Sequence, residues 1–145
     1  MKDAWNVSAA VSEKVDAPIE RVWELLSDFH SLPRRMAGIT DFVVEGSGVG
    51  TVRTFRLGDG PIIRERIEIF EPERHRFAYS LLPPAFVENY LAEIVLLPEG
   101  TDACVVNWSA RCSVPSENEA AERRTFFEQV FRNGIAWVRK ELKLG

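Results

Sequence analysis

Apolar and polar residues alternate along most of the chain, which predicts a structure built mainly of β-strands. The alternation runs almost without interruption from Ile39 to Pro115, as it does in strands that bury one face. Segments rich in glycine, proline or acidic residues break it at 46–50, 58–61, 71–73, 83–84 and 98–102. The breaks predict about six antiparallel strands with hairpin-length connections. One more strand is predicted at the N-terminus, between Trp5 and Ser12.

Two segments have helical spacing instead. Apolar residues three and four apart from Ile19 to Phe29 predict a short amphipathic helix, and Ser31-Leu32-Pro33 begins a second. After Pro115, a capping box and an apolar stripe predict a helix of about seven turns. The order of one strand, two short helices, six strands and a long helix predicts an α+β fold, and the length predicts a single domain over 1–145.

A seven-stranded antiparallel sheet has to bury one face, and the C-terminal helix is the only predicted element large enough to cover it. A twisted sheet that curls around one helix leaves space between them unless large side chains fill it. Gly134 lies in the middle of that helix, where glycine costs about 1 kcal/mol relative to alanine. Close packing of the helix on a strand and room for a bound molecule both explain this glycine, and the pattern leaves both open.

Composition and charge exclude several classes of protein. The formal net charge of −4 argues against a nucleic-acid partner, and the pairs Arg34-Arg35 and Arg123-Arg124 are interpreted as solvated surface. No apolar run approaches the roughly 20 residues that span a bilayer, and residues 1–15 lack the apolar core of a signal peptide. We therefore expect a cytoplasmic protein. The two histidines and two cysteines lack metal-ligand spacing, so neither a metal nor a cofactor is expected.

Two charged residues fall on the predicted core-facing side of one hairpin, Arg53 on its first strand and Glu65 on its second. The residues that share these faces by parity are Phe55, Leu57, Ile63, Ile67 and Ile69. If the hairpin turns at Asp59-Gly60, Arg53 and Glu65 lie opposite or diagonal to each other, within reach of an ion pair. Buried charges are costly unless they are paired. The pair is either a structural ion pair or a polar spot that meets the head group of a ligand.

The same parity argument extends the concave face. The further candidates are Phe77, Tyr79, Leu81, Glu88, Tyr90, Ala92, Val106 and Trp108 from the strands, and Phe126 or its neighbour Phe127, Val130 and Gly134 from the helix. The two tyrosines and the tryptophan combine a large apolar body with a polar group, which suits a ligand with rings or an acyl chain. Core packing explains each of them equally simply, and only parity places Glu88 inside. The loops 58–61 and 83–86 would form the front of the cavity.

Four segments together resemble the polyketide cyclase/dehydrase and lipid-transport superfamily, also called SRPBCC, START-like or birch-pollen-allergen-like. They are "VDAPIERVWELLSDF", "GVGTVRTFRL", "RERIEIFEPERHRFAYSLL" and "FFEQVFRNGIAWVRKEL". The similarity extends over Val7 to Leu142. It implies a helix-grip fold, in which a curved seven-stranded sheet wraps around the long C-terminal helix with a hydrophobic cavity between them. Members bind or carry lipids, sterols, hormones, polyketide intermediates or aromatic compounds, and a minority are enzymes.

Three functions follow as hypotheses. The first is a non-enzymatic module that binds a small hydrophobic or amphipathic molecule, such as a lipid, a polyketide or an aromatic compound. The second is a cyclase or dehydratase in which Glu65 is the acid or base and Arg53 or a tyrosine stabilises an enolate-like oxygen. The third is a protein-interaction module with a filled core. An arginine partner lowers the pKa of a carboxylate, which favours binding over catalysis. A monomer or a weak homodimer is expected.

Overall fold

A computed structural model describes residues 5–144 of the chain. The first four residues of the segment 1–15, which was predicted not to be a signal peptide, lie outside the described residues. The strands are β1 Trp5–Val15, β2 Ile39–Glu45, β3 Val52–Leu57, β4 Ile62–Glu71, β5 Arg76–Leu81, β6 Glu88–Pro98 and β7 Cys104–Val114. The helices are α1 Ile19–Leu26, α2 Leu32–Arg35 and α3 Glu117–Glu141, with 3-10 turns at Phe29–Ser31 and Pro72–Arg74. The predicted α+β order is confirmed.

All seven strands form one antiparallel sheet in the order β1-β7-β6-β5-β4-β3-β2. Helix α3 packs mainly on β1 and β7, at one end of this sheet. It therefore does not itself cover the concave face of β3, β4 and β5. The space above these three strands is where the site is built.

The sequence signals at the start of α3 act as predicted. The Ser116 hydroxyl accepts a hydrogen bond from the backbone N–H of Glu119 at 3.2 Å, and the first turn is acidic and the last turn basic. The residues that α3 buries are Ala120, Phe127, Phe131, Gly134, Ile135 and Val138. Within residues 5–144, no helix combines the length and the apolar character needed to cross a bilayer.

Aromatic side chains fill the part of the core beneath α1. The Trp23 ring lies 5.6 Å from the Phe77 ring and 5.9 Å from the Phe70 ring, measured between centroids. Its edge also meets His75, whose imidazole pairs with Glu20. The core beneath α1 is therefore closely packed, because α1 places the Trp23 ring against the sheet.

Two β-bulges make two of the parity predictions wrong. The register of β4 against β5 shifts between Ile67 and Ile69, so Phe70 rather than Ile69 packs against the core. The register of β6 against β7 shifts after Glu88, beside a residue with positive φ at Asn89, and Glu88 is exposed. An inserted residue reverses the face of every side chain beyond it, which alternation alone does not reveal.

Candidate ligand-binding cavity

A cavity of about 270 Å³ lies between the concave face of the sheet and α3. It is slightly below the range of about 300–1,000 Å³ that is usual for small-molecule pockets. The sheet supplies Arg53, Phe55, Leu57, Ile63, Glu65, Tyr79, Leu81, Tyr90 and Trp108, and α3 supplies Arg123, Phe126, Phe127, Val130 and Phe131. The remaining wall consists of Leu32, Arg35, Met36, Gly60, Pro61 and Phe86. The lining is mostly aromatic and aliphatic, with four charged residues.

Gly134 marks the inner limit of the cavity rather than part of its wall. A Cβ atom at Gly134 would lie 2.6 Å from Cζ3 and 2.8 Å from Cη2 of Trp108. The Trp108 ring is also stacked on Phe131 with a centroid distance of 4.9 Å. Close packing therefore explains this glycine, and the free space lies nearer the N-terminus of α3, between Arg123 and Phe131.

Arg53 and Glu65 form the ion pair that the hairpin pattern predicts. They are directly opposite in the register of β3 against β4, and Arg53 Nε donates to Glu65 Oε1 at 2.6 Å. The guanidinium also donates to the carbonyl of Phe29 at 3.3 Å and lies 3.8 Å from the centre of the Phe29 ring. Only 3% of Arg53 is exposed. Each member of the pair thus has a partner inside the protein.

Two phenol groups and an indole form a polar strip beside this pair. Trp108 Nε1 donates to the Tyr79 hydroxyl at 3.2 Å. Burial, and then the Glu65 carboxylate, raises the pKa of Tyr79. Burial and then Tyr79 raise the pKa of Tyr90 well above its ordinary value. Both hydroxyls therefore stay protonated at neutral pH and are able to donate hydrogen bonds.

Arg35, at the end of α2, is a cavity residue that the sequence interpretation missed. Adjacent residues on a helix point about 100° apart, since one turn takes 3.6 residues. Arg34 points outward, pairs with Glu141 and lies 5.5 Å from the Trp137 ring centre, whereas the Arg35 guanidinium lies 5.2 Å from the Trp108 ring centre. The interpretation of this pair as solvated surface is therefore wrong for Arg35.

Among residues 5–144, the guanidinium of Arg35 forms no ion pair, although the Glu65 carboxylate is close enough to raise its pKa. Among the carboxylates of residues 5–144, none comes within 4.0 Å of its guanidinium, although both neighbouring arginines, Arg34 and Arg53, have ion-pair partners. Burial, followed by the proximity of Arg53, lowers the pKa of Arg35 to about 10. Arg35 is thus still cationic at pH 7, inside a largely apolar cavity.

The mouth of the cavity lies between the β5–β6 loop and the first turns of α3. Phe86 and Phe126 are 38% and 39% exposed, and their rings meet edge to face at 6.4 Å. The guanidinium of Arg123 lies 4.8 Å from the Phe86 ring centre. On the opposite side the wall is Pro61, which also borders an adjoining surface groove lined by Arg56, Arg64 and Pro84.

Most of the predicted site residues do line the cavity, and five do not. Those five are Phe77, Glu88, Ala92, Val106 and Gly134. Phe77 packs against Trp23, Ala92 and Val106 are fully buried in the core, and Glu88 is outside the β6 bulge. The lining residues that were not anticipated are Leu32, Arg35, Met36, Arg123 and Phe131. For Arg35, the signal that could have been used is that adjacent residues on a helix point about 100° apart.

Within the described part of the chain, no group of three or more histidine, cysteine, aspartate or glutamate side chains is placed to hold a metal ion. The charged and phenolic groups that line the cavity are the guanidinium groups of Arg35 and Arg123, the Arg53–Glu65 pair and the two phenols. This set is able to orient a polar head group while the rest of a ligand contacts apolar walls.

Comparison with solved structures supports the same architecture. The protein XoxI from Bacillus cereus is 26% identical, with a TM-score of 0.77 over 93% of this chain and 94% of that one. A protein from Bacillus thuringiensis is 25% identical, with a TM-score of 0.75 over 93% and 98% of the two chains. Norcoclaurine synthase from Thalictrum flavum, in complex with dopamine and hydroxybenzaldehyde, has a TM-score of 0.79 at 17% identity over 97% and 88%. At that identity the likeness concerns the fold alone.

No curated protein matches the chain. A family model does match, however, and it extends over residues 6–143, nearly the whole sequence. Its description is polyketide cyclase/dehydrase and lipid transport. The sequence resemblance is thereby confirmed, and the chain belongs to the polyketide cyclase/dehydrase and lipid-transport family.

Proposed function

We propose that the protein binds a small hydrophobic or amphipathic molecule in the cavity between its sheet and α3, and that it does so without chemical conversion. The observation that carries the proposal is the cavity itself, about 270 Å³ with mostly apolar walls and a few polar groups. Small-molecule sites generally have this composition. A family of cyclases, dehydrases and lipid-transport proteins is also one in which such binding is expected.

The arrangement around Glu65 favours binding over catalysis. A general base needs a carboxylate that is free to take a proton from the substrate. Glu65 instead accepts a 2.6 Å hydrogen bond from Arg53, which in turn is held by the carbonyl of Phe29. Glu65 and Arg53 neutralise each other's charge. If the Glu65 carboxylate left Arg53 in order to accept a proton, the buried Arg53 cation would be unpaired. The likeness to norcoclaurine synthase, at 17% identity, adds no support for a reaction.

The cavity volume also weighs against an interaction module with a filled core. A hollow of about 270 Å³ takes up roughly the volume of nine water molecules at about 30 Å³ each. In a protein that binds no ligand, such a space only lowers stability, because the side chains around it lose packing contacts. The size instead fits a small ligand with on the order of ten non-hydrogen atoms, by the same volume comparison.

Filling the cavity tests the proposal. Val130 lines the cavity from α3, so Val130→Trp should occupy the space with an indole ring and weaken ligand binding at least tenfold. The probe is 2-naphthol, a small neutral aromatic alcohol, and binding is measured by isothermal titration calorimetry at pH 7. Ala136→Trp is the matched control, because Ala136 is exposed on the same helix and should bind 2-naphthol as the unmodified protein does.

Two results would contradict the proposal. One is that the unmodified protein binds none of 2-naphthol, 2-naphthoate, octanoate and 1-octanol. The other is equal binding by Val130→Trp and Ala136→Trp, which would place the probe outside the cavity. Val130→Phe, a smaller addition, serves if Val130→Trp fails to fold by circular dichroism.

A further inference from the structure

The charges in the cavity do not balance. Its lining contains three arginines and one glutamate, Arg35, Arg53, Arg123 and Glu65. Arg53 and Glu65 neutralise each other at 2.6 Å. Arg123 lies at the mouth against the ring of Phe86. One positive charge, on Arg35, therefore remains in the cavity wall without an ion-pair partner among the described residues.

Arg35 is held in a position that costs stability. Arg35 is half-buried, and partial withdrawal of a cation from water is unfavourable unless it is paired; burial is the first cause of the lowered pKa of Arg35. The contact with the Trp108 ring, 5.2 Å from Cζ, offsets part of this cost. A methionine or leucine would fill the same place without the cost of a buried charge. A guanidinium at this position is therefore better explained by a ligand than by the fold.

The N–H groups of Arg35 are open to a ligand. In residues 5–144, every side-chain nitrogen or oxygen sealed from solvent has a hydrogen-bond partner. None of the hydrogen bonds among the described residues involves the Arg35 side chain, so its N–H groups are not sealed from solvent, and the side chain lines the cavity. The protonated hydroxyls of Tyr79 and Tyr90 belong to the same lining. The Tyr79 hydroxyl already accepts from Trp108 Nε1 and is hydrogen-bonded to Tyr90, so the donors left open to a ligand are those of Arg35.

We infer that Arg35 binds the carboxylate of a singly charged amphipathic acid, whose apolar body lies against Phe127, Val130 and the neighbouring walls of the cavity. This inference rests on the proposed function and specifies its ligand class. A guanidinium matches a carboxylate with two parallel hydrogen bonds. One free cation matches one negative charge, and the nearby Glu65 carboxylate disfavours a second. Arylcarboxylic acids and medium-chain fatty acids have this charge and size.

The experiment compares each acid with its neutral alcohol. The pairs are 2-naphthoate with 2-naphthol and octanoate with 1-octanol, titrated into the protein by calorimetry at pH 7. The unmodified protein should bind each carboxylate at least tenfold more tightly than the alcohol, as expected for charge-assisted hydrogen bonds away from water. In Arg35→Met this ratio should fall to about one, while the affinity for the alcohol stays within about threefold of the unmodified protein.

Arg34→Met is the matched control. It removes the same charge from the adjacent position, but Arg34 faces α3 and pairs with Glu141, so the preference for the carboxylate should persist. Equal binding of acid and alcohol by the unmodified protein would overturn the inference and leave the proposed function standing. Equal loss of preference in Arg34→Met and Arg35→Met would also overturn it, because net charge alone would then explain the preference. Binding of neither acid nor alcohol would reject the proposed function itself.

The stability of the ligand-free protein gives a second measurement, which distinguishes a ligand-binding role of Arg35 from a purely structural one. The pKa of Arg35 is lower in the folded protein than its ordinary value, so the unfolded chain holds the proton more tightly and the charge destabilises the folded state at pH 7. Arg35→Met should therefore raise the urea midpoint of the ligand-free protein. A lowered midpoint together with an unchanged preference for the carboxylate would assign Arg35 to the fold and overturn the inference.

Discussion

At the scale of residues, two arginines in one cavity differ because only one of them has a partner. Arg53 is paired with Glu65 and bonded to the carbonyl of Phe29, so its charge is part of the fold. Arg35 has the Trp108 ring beneath it but, among residues 5–144, no carboxylate in an ion pair with it. The hairpin pattern predicted the first arrangement, since opposite positions on neighbouring strands follow from the turn. It did not predict the second, because the partners of a residue at the end of a four-residue helix depend on which elements lie nearby.

Removing one member of the ion pair should be far more costly than removing both. Glu65→Met leaves Arg53 unpaired beside Arg35 and should destabilise the protein by about 3–5 kcal/mol, the usual cost of an isolated buried charge. The double variant Arg53→Met/Glu65→Met should recover most of that loss, because no unpaired charge from the pair remains. Urea denaturation of the two single variants and the double variant measures this. A near-neutral Glu65→Met would contradict the assignment of the pair to the fold.

At the scale of elements, periodicity predicts where helices and strands lie but fails at β-bulges. The alternation of β3 carries Arg53 and Phe55 inward as predicted. In β4 and β6 a single register shift reverses the alternation, so Ile69 and Glu88 leave the concave face. The sequence left the role of the glycine in α3 open, because both a tight contact with a strand and room for a bound molecule explain a missing side chain there. The position of the Trp108 ring resolves it in favour of contact.

Gly134→Ala should therefore destabilise the protein although alanine is the better helix former. The new Cβ would lie 2.6 Å from Cζ3 of Trp108, a ring only 1% exposed and stacked on Phe131. We expect a net loss of about 1–3 kcal/mol from overpacking, after the gain of about 1 kcal/mol in helix propensity. Thermal or urea unfolding measures it. Thr125→Ala, at an exposed site on the same helix, is the control and should be neutral or slightly stabilising; a stabilised Gly134→Ala would refute the packing explanation.

At the scale of the whole molecule, the cavity exists because α3 covers only one end of the sheet. It packs on β1 and β7, α1 brings Trp23 down on the centre, and the space above β3 and β4 is closed by α2 and by loops. The closing groups at the mouth are Phe86, Phe126 and Arg123, which touch one another across the gap. Entry and exit of a ligand then depend on the contact between a loop and the helix.

Phe86→Ala should widen this mouth and speed up exchange of the ligand. Phe86 contacts Phe126, Phe127 and Arg123 at the surface and leaves the interior donors untouched. The dissociation rate of 2-naphthoate should rise about fivefold or more, with a smaller change in affinity because association is also faster. Stopped-flow fluorescence measures both rates. Val49→Ala, at an exposed site in the β2–β3 connection, should change neither rate, and an unchanged rate in Phe86→Ala would place the entrance elsewhere.

The amino-acid sequence by itself determined the order of the elements, the antiparallel pairing and the Arg53–Glu65 contact. All of these follow from local periodicity, turn residues and capping, which act over a few neighbouring positions. Only the tertiary structure decided the volume of the cavity, its inner limit at Trp108 and Gly134, and the inward direction of Arg35. These depend on how far α3 lies from each strand and on bulges that reverse a face, and both are set by packing between residues far apart in the chain.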